Sequence, residues 1–525
     1  MPQRDLRRLY NNSGESKKPE EVFIEGKVPE WLNGTYLKVG PGKYHFDEFS
    51  MRHFIDGYSS VAKFEIKNGS KVIFQKKYLE TDVLKRANAA QKPVVCEYGT
   101  PPQQDPNKGF LSRCIPTLIP EMSDNHNMAM YNLGTNLCVA GESCFFREFD
   151  YKTLQLGTKF DTNKCYGLNF TCPHPITDET GTTYTIGSSF ITGLKYNFVK
   201  IPPMTGKPST KEVLKKAKIF ATISSQVTSM LSMHHSFGIT KNYVVFIEQP
   251  YVLNVTKILG GVLTKGQCFF DWLEWRPELR NKFYLIEKET GKVLKTEVVS
   301  QEPFMFLHMS NCYEEDNQVV VDLVRFDNGD FFDANFIQKI LSDRHQMESE
   351  FASVERFVIP LVDNVSSLQE GKELVSLGYT TASAVRKGKQ IILSPEIFSK
   401  KGLELPFVNK TFLGKKYRYV YATGNTAPPG FYENTLVKID LETKITKTWQ
   451  GGPCSFPGEP YFIPNPNANE DDEDAGVVMC AVLDTGKDSN DHLLFLDAKT
   501  FQVIGKATFK DNIPFVIHGT FIPSS

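Results

Sequence analysis

Short apolar runs with the alternation typical of β-strands recur along the whole chain. One of them, Tyr243–Ile247 in "NYVVFIEQP", follows a polar stretch and predicts a buried strand. Few long segments between such runs show apolar residues at the helical period. The pattern therefore predicts an all-β protein.

Four segments share one turn pattern, in which an apolar residue is followed by an acid, two further residues, a threonine and a return to apolar alternation. They are "FDYKTLQL" from Phe149, "IEKETGKV" from Ile286, "IDLETKI" from Ile439 and "LDAKTFQV" from Leu496. An acid and a threonine at this spacing favour a capped turn between two antiparallel strands. Recurring hairpins indicate a β-propeller, and seven blades would take about 75 residues each. The uneven spacing of the four copies predicts long insertions between blades.

Length and composition limit the classes of protein. We expect residues 1–525 to form a single domain, with a flexible polar N-terminus over residues 1–20. The chain has 60 basic and 61 acidic residues, which argues against a nucleic-acid binder that depends on a basic surface. Its 39 phenylalanines and 21 tyrosines suit a large core or a tunnel for an apolar ligand.

The chain carries no obvious targeting or membrane-spanning signal. The N-terminal "MPQRDLRRLYNNSGESKKPEE" lacks the apolar stretch of a signal peptide, and no apolar run reaches the ~18 to 20 residues of a span. Ten cysteines without a close CxxC pair are better interpreted as reduced thiols. We therefore expect a cytoplasmic location.

The segment Tyr251–Trp275, "YVLNVTKILGGVLTKGQCFFDWLEW", mixes apolar residues with lysines. This mixture is found where proteins meet lipid headgroups, so the segment predicts peripheral contact with a membrane and the entrance for an apolar ligand. A core-packing loop or helix explains the same pattern equally well. The residues expected at the membrane are Ile258, Leu259, Val262 and Leu263.

Four of the ten histidines lie at the edges of apolar, β-type segments. They are His174 in "CPHPIT", His235 in "HSFGIT", His308 in "FMFLHMSN" and His518 in "FVIHGTF". Their separations of 61, 73 and 210 residues allow each to come from a different blade, so that four imidazoles could converge on the propeller axis. Imidazole is a good ligand for iron, copper and zinc. The alternative for each is a hydrogen-bonded structural histidine.

Histidines that bind a metal generally donate their other ring N–H to a carboxylate or carbonyl. The candidates are glutamates among apolar or turn residues, namely Glu142 in "VAGESC", Glu404 in "GLELPF" and Glu459 in "FPGEPY". From the residues alone, a surface position is the simpler interpretation of each glutamate.

At these same positions the sequence resembles the carotenoid cleavage oxygenases, a family that includes the animal β-carotene oxygenases and the retinoid isomerohydrolase of the retinal pigment epithelium. The resemblance extends from "VPEWLNGTYLKVGPGKY" at Val28 to "IPFVIHGTF" at the end of the chain. Between them, "PHP", "HSFG", "LHMSNCYE" and "FPGEP" occur in the order of the family.

The resemblance implies a seven-bladed propeller with inter-blade insertions forming a cap, and Fe2+ on the axis held by His174, His235, His308 and His518. It also implies that Glu142 orients His235, Glu404 orients His308 and Glu459 orients His518, whereas His174 has no carboxylate partner. His234 then becomes an outward or structural neighbour of His235. The implied reaction is cleavage of one C=C bond of a carotenoid or apocarotenoid by O2 into two carbonyl products.

Three departures from the family pattern stand out. Gly141 precedes Glu142 where animal members usually carry threonine, Ile55 replaces the phenylalanine of "FDG", and Asn107 replaces the cysteine of "PDPCK". Since that cysteine resembles a lipid-attachment point, its replacement leaves membrane contact to apolar surface. An isomerohydrolase acting on retinyl esters and a non-catalytic carotenoid binder remain alternatives, and the replaced cysteine favours cleavage.

Overall fold

The computed structural model describes residues 5–107, 120–190, 193–261, 266–342, 352–399, 402–424, 434–487 and 489–524, without the side chains of residues 259–261. The described chain is all-β with few, short helices, as the alternation predicted. Its α-helices are Asp82–Ala90, Thr162–Tyr166, Thr210–Lys216, Val255–Gly261, Asp330–Ala334 and Ile337–Leu341. Its 3-10 helices are Leu6–Tyr10, Phe54–Asp56, Phe269–Trp272, Val365–Ser367 and Lys410–Phe412.

Within the described residues, seven sheets contain four or more strands. Sheet 1 orders Glu20–Phe23, Lys71–Tyr78, Tyr58–Lys67, Gly34–Lys43 and His518–Pro523. Sheet 2 orders Gln155–Asp161, Phe145–Asp150, Asn136–Ala140 and Ala129–Leu133. Sheet 3 orders Phe170–Thr171, Thr183–Ser189, Lys195–Ile201 and Lys218–Ser224, with Ile176–Thr177 beside its second strand. Sheet 4 orders Gly238–Ile239, Tyr243–Glu248, Lys282–Glu287, Glu297–Ser300, Gln390–Ser394 and Ser383–Lys387.

Sheets 5 to 7 complete the set. Sheet 5 orders Met305–Glu315, Gln318–Phe326, Ser353–Pro360 and Glu396–Ile397. Sheet 6 orders Leu403–Phe407, Tyr419–Gly424, Thr435–Asp440 and Thr446–Gln450. Sheet 7 orders Glu25–Gly26, Val503–Thr508, His492–Asp497, Gly476–Asp484 and Ser455–Pro457, with Tyr461–Pro464 also beside Gly476–Asp484. There are also two small sheets. One contains Met230–Ser232, Tyr251–Asn254 and Leu273–Trp275, and the other contains His45–Phe46 and Phe49–Ser50.

The four predicted hairpins are confirmed, because antiparallel pairing brackets each turn. The acid caps the turn as expected. Asp497 accepts a hydrogen bond from the Thr500 backbone N–H at 2.7 Å and from its hydroxyl at 2.8 Å, and Asp440 accepts the Thr443 N–H at 3.1 Å. A carboxylate that accepts turn N–H groups explains why the acid-to-threonine spacing recurs.

The two ends of the chain are joined through the sheets. Gly34–Lys43 pairs with the last strand, His518–Pro523, and Glu25–Gly26 pairs with Val503–Thr508. The N-terminus differs from the flexible segment expected over residues 1–20, because Leu9 and Tyr10 are buried and Arg8 forms an ion pair with Asp491 at 3.0 Å. Residues 1–4 lie outside the described part of the chain.

The expected membrane segment is corrected at Ile258. This side chain is 2% exposed and packs in the main hydrophobic core, because its helix lies against Phe269–Trp272. Val262, Leu263 and the side chain of Leu259 lie outside the described residues. None of the described helices is both long enough and apolar enough to cross a bilayer.

Candidate metal centre

The four predicted histidines come from different sheets and meet at one place. His174 follows Phe170–Thr171 in sheet 3, and His235 lies three residues before the first strand of sheet 4. His518 opens the last strand of sheet 1, where it pairs with Val39. His308 lies where the register of Met305–Glu315 shifts against its neighbour, an irregularity of the kind that redirects a side chain.

The Nε2 atoms of the four histidines face one another. The distances are 3.1 Å between His174 and His235, 3.1 Å between His235 and His308, and 3.2 Å between His308 and His518. The candidate ligand atoms all lie within 4.8 Å of one another, and each ring is buried or partly buried. This is the only cluster of its kind that the described residues form.

Three of these rings are fixed from behind by the predicted glutamates. His235 Nδ1 hydrogen-bonds to Glu142, His308 Nδ1 lies 2.8 Å from Glu404 Oε2, and His518 Nδ1 lies 2.7 Å from Glu459 Oε1. An ionised carboxylate only accepts, so each Nδ1 carries the proton and each Nε2 keeps its lone pair. His174 has no glutamate behind it; its backbone N–H lies 3.4 Å from the Cys172 sulfur.

This donor set fits a bound cation. Lone pairs on neighbouring Nε2 atoms repel each other at about 3 Å unless something positive lies between them. With the Nδ1 protons fixed by carboxylates, no hydrogen remains between His235 and His308. Neutral imidazoles with carboxylates behind them are the arrangement that suits a transition metal.

The surroundings favour the neutral form of His174 and His518 and the ionised form of Glu142 and Glu459. His308 differs, because burial lowers its pKa but Glu404 outweighs burial and the net shift is upward. Burial lowers the pKa of His518 to about 4, although Glu459 opposes this shift. Burial, together with the other histidines, lowers the pKa of His174 well below its usual value. Burial raises the pKa of Glu459, but Lys38 and His518 outweigh it and bring the pKa to about 2. Burial likewise raises the pKa of Glu142, and the hydrogen bond with His235 outweighs it, so the net shift is downward.

Lys38 is a member of the site that the sequence analysis did not identify. Its side chain is fully buried, and its ammonium donates to Glu459 Oε2 and to the Ile517 carbonyl, both at 2.7 Å. A divalent ion and Lys38 together would match the charge of the three carboxylates. The available signal was a lysine inside the apolar strand "TYLKVGPG", because a charge buried there needs a partner.

The neighbour of His235 is not exposed. His234 is 8% exposed, almost as little as His235, and its ring packs edge-on against Tyr196. It lines a small cavity of about 30 Å³ that Glu142 also borders. The expected outward position of His234 is therefore wrong, while its structural role stays a prediction.

The departures from the family pattern have local explanations in part. A Cβ atom at Gly141 would lie 2.7 Å from the Asn125 carbonyl oxygen, so no larger residue fits without a backbone shift. Ile55 is buried and borders two cavities next to the histidines. Asn107 is exposed, and its N–H donates to Asp105 at 2.9 Å.

An apolar cavity of about 160 Å³ opens at the histidine cluster. His235, His308 and His518 are among its lining residues, and most of its remaining wall is aromatic and aliphatic. Its aromatic residues are Phe54, Phe326, Phe331, Phe332, Phe456 and Phe515. Such a wall suits an extended hydrocarbon.

Comparisons with known proteins agree with this geometry. The family model of the retinal pigment epithelial membrane protein matches residues 10–523. The mitochondrial carotenoid-cleaving dioxygenase of Macaca fascicularis is 33% identical, with 95% of this chain and 91% of that protein covered. The β,β-carotene 15,15'-dioxygenase of Gallus gallus is 32% identical, with 98% of each covered.

Solved structures share the fold. A variant of the Synechocystis apocarotenoid oxygenase superposes with a TM-score of 0.76 over 99% of this chain and 98% of that chain, at 20% identity. A cobalt-substituted form of the same oxygenase gives a TM-score of 0.75 over 98% of each chain, at 19% identity. The chain therefore belongs to the carotenoid oxygenase family, whose model is that of the retinal pigment epithelial membrane protein.

Proposed function

We propose that this protein is a non-haem iron dioxygenase that cleaves one C=C bond of a carotenoid or apocarotenoid with O2 and yields two carbonyl products. The observation that carries the proposal is a four-histidine cluster of which three members line an apolar cavity. The names of the relatives from Macaca fascicularis and Gallus gallus support the same reaction class.

In this proposal His174, His235, His308 and His518 bind Fe2+. Neutral histidines would keep such an ion Lewis-acidic, and the bound iron would supply the activation of O2. Glu142, Glu404 and Glu459 hold the Nδ1 protons and so keep each Nε2 lone pair directed inward.

The cavity wall would bind and position the substrate. Burying apolar polyene surface contributes roughly 25 cal/mol per Å². Phenylalanine side chains around the cavity exclude water, and the fixed walls hold one double bond next to the histidines. The shape of the cavity, rather than any acid or base, would select the bond that is cleaved.

We also propose that the fold is a seven-bladed propeller formed by the whole chain, with inter-blade insertions capping the site. The seven sheets of at least four strands support the blade number. Pairing of the first and last segments in two of these sheets supports closure into a ring.

Peripheral contact with a membrane and a cytoplasmic location belong to the same proposal. Carotenoids are nearly insoluble in water, so an enzyme must collect them from lipid. Ile258 is buried and therefore takes no part in such a contact.

Product analysis tests the function directly. The purified protein, supplied with Fe2+, would be incubated under air with carotenoids and apocarotenoids in detergent, and in parallel with a retinyl ester. We expect carbonyl fragments from a carotenoid, none without O2, and none from His235→Ala. An isomerised alcohol from the retinyl ester would indicate an isomerohydrolase, and tight carotenoid binding without any product would indicate a binder.

A further inference from the structure

A second cavity, of about 100 Å³, adjoins the apolar cavity. Ile55, Met128 and Glu142 line both, so the two cavities adjoin at Glu142, the residue that hydrogen-bonds to His235. Its wall is of two kinds. Tyr98, Phe170, Phe269 and Trp272 form an aromatic part, and Glu97, Ser123, Asn125 and Asn127 form a polar part.

The polar part contains one group that suits recognition of an oxygen atom. Glu97 is 6% exposed, and the Ser123 hydroxyl donates to its Oε1 at 2.8 Å. Burial raises the pKa of Glu97 well above its usual value and so favours the protonated carboxyl. A protonated carboxyl has an O–H donor, and both Ser123 and Asn125 act toward Glu97 as donors. The Glu97 proton therefore remains available to a ligand.

The neighbouring amides are already used by the protein. Asn127 Nδ2 donates to the Ile55 carbonyl at 2.7 Å and to the Gly57 carbonyl at 3.0 Å. Asn125 Oδ1 accepts the Ser59 hydroxyl at 2.7 Å. Of the acidic and amide side chains Glu97, Asn125 and Asn127, Glu97 is thus the one with a polar group that the protein does not fully use.

Among the described residues that line the apolar cavity, the polar side chains away from the metal centre are bonded within the protein. Of its polar lining residues there, Asn335 donates to the Phe331 carbonyl at 2.7 Å and Thr423 donates to the Gly458 carbonyl at 2.6 Å. A hydroxyl or carbonyl group placed in that cavity would find few polar partners to replace the hydration it loses. The apolar cavity therefore suits the hydrocarbon end of a substrate, and the second cavity suits an end that carries oxygen.

We propose that the second cavity binds the oxygenated end of the substrate, with Glu97 donating a hydrogen bond to its hydroxyl or carbonyl oxygen. The inference rests on the proposed cleavage function and names its substrate class as carotenoids or apocarotenoids that carry oxygen at one end. The hydrocarbon part extends past Glu142 into the apolar cavity, and the aromatic side chains beside Glu97 pack against the terminal ring. Glu97 is then a residue that determines specificity, not one that reacts.

Two substrates with the same polyene test this role, one with a hydroxylated terminal ring and one without oxygen. For Glu97→Leu we expect kcat/KM for the hydroxylated substrate to fall about 10 to 100-fold, because its oxygen loses its donor. The value for the hydrocarbon should stay within about 3-fold of wild type or rise. Glu97→Gln keeps an N–H donor and should retain most of the preference.

Two further variants guard against misfolding and general damage. Ser123→Ala removes the group that orients the Glu97 carboxyl and should reduce the preference in the same direction by a smaller factor. Glu442→Leu, at an exposed position, should leave kcat/KM unchanged for both substrates. An equal loss for both substrates in Glu97→Leu, or no loss for either, would overturn the proposal.

Binding separates this inference from the cleavage function. Trp272 lines the second cavity, so a polyene entering it should quench tryptophan fluorescence. If wild type cleaves neither substrate but binds the hydroxylated one more tightly, and Glu97→Leu abolishes that difference, the cleavage function fails and Glu97 recognition stands. If wild type cleaves both and Glu97→Leu leaves their ratio and both affinities unchanged, only the role of Glu97 fails.

Discussion

The two sides of the histidine cluster are held in different ways. On one side, three imidazoles have a glutamate behind Nδ1, and the last of these glutamates is paired with buried Lys38. On the other side, His174 has no glutamate and is positioned by packing and by the short segment around Cys172. With a divalent ion bound, the charges of the ion and Lys38 together equal those of three carboxylates. A fourth carboxylate would add a negative charge that no cation of the site matches. The difference indicates that the carboxylates have two roles. They orient the individual rings, and together they neutralise the positive charge of the whole site.

The largest effect is expected from removing a ring on the glutamate-backed side. His235→Ala should abolish bound iron and activity, because it removes a ligand and leaves Glu142 facing an empty space. His234→Ala is the matched control, since His234 is the adjacent buried histidine outside the cluster, and it should keep most of both. Metal content per chain and turnover check this, and equal losses in the two variants would contradict the assignment.

Removing the cation of the glutamate-backed side is expected to have the next largest effect. Lys38→Met leaves Glu459 buried without its cation and should lower the free energy of unfolding by about 3 to 5 kcal/mol. Thermal or denaturant unfolding measures this.

Two controls make the Lys38 result specific. Lys63→Met, on the neighbouring strand and weakly paired with Glu65 at 3.9 Å, should cost much less. The double variant Lys38→Met with Glu459→Gln should recover part of the loss, because the unpaired charge is gone. If Lys38→Met alone were as stable as wild type, Lys38 would not be needed to neutralise Glu459, and the proposed charge balance of the site would be contradicted.

A moderate effect is expected from neutralising single glutamates. Glu404→Gln and Glu459→Gln should keep the fold but weaken iron retention or turnover by roughly 10 to 100-fold, since the carboxylate no longer fixes the ring proton. Dialysis against a chelator followed by metal analysis gives retention, and initial rates give turnover. Wild-type values in both variants would show that the glutamates do not act on the site.

The smallest effect is expected on the His174 side. The Cys172 thiol donates to the His235 carbonyl at 2.9 Å, and the His174 N–H lies 3.4 Å from its sulfur. Cys172→Ala should lower turnover by only a few-fold, because these contacts orient backbone rather than a ring proton and are each worth about 1 kcal/mol. A loss as large as that of Glu459→Gln would show that both sides depend on fixed partners to the same degree.

How far the sequence could predict the structure depends on whether the pattern is local. The hairpins were predictable because an acid and a threonine three residues apart cap one another within the turn. The positions of His308 and Glu459 followed from the family motifs "LHMSNCYE" and "FPGEP", since each motif places one side chain. Lys38 and Glu459 are 421 residues apart, and no local pattern connects them.

The mixture of apolar and basic residues was the least reliable pattern for predicting which side chains are exposed. Ile258 follows the apolar and basic pattern of a membrane surface, yet its helix packs inward against Phe269–Trp272. Which face of so short a helix is covered depends on tertiary packing, which periodicity does not contain. The second cavity was missed for a related reason, because residues 96–98, 120–128 and 269–272 form it from separate parts of the chain.

Oxygen labelling of the products tests the central claim most directly. The iron-loaded protein would be incubated with a carotenoid under ¹⁸O2, and the carbonyl fragments would be reduced at once to alcohols so that they do not exchange oxygen with water. Mass spectrometry then gives the ¹⁸O content of each fragment. The four-histidine dioxygenase predicts two fragments from one double bond, each carrying ¹⁸O, and no fragments from His235→Ala. Intact carotenoid, or fragments that form equally well without O2, would contradict it.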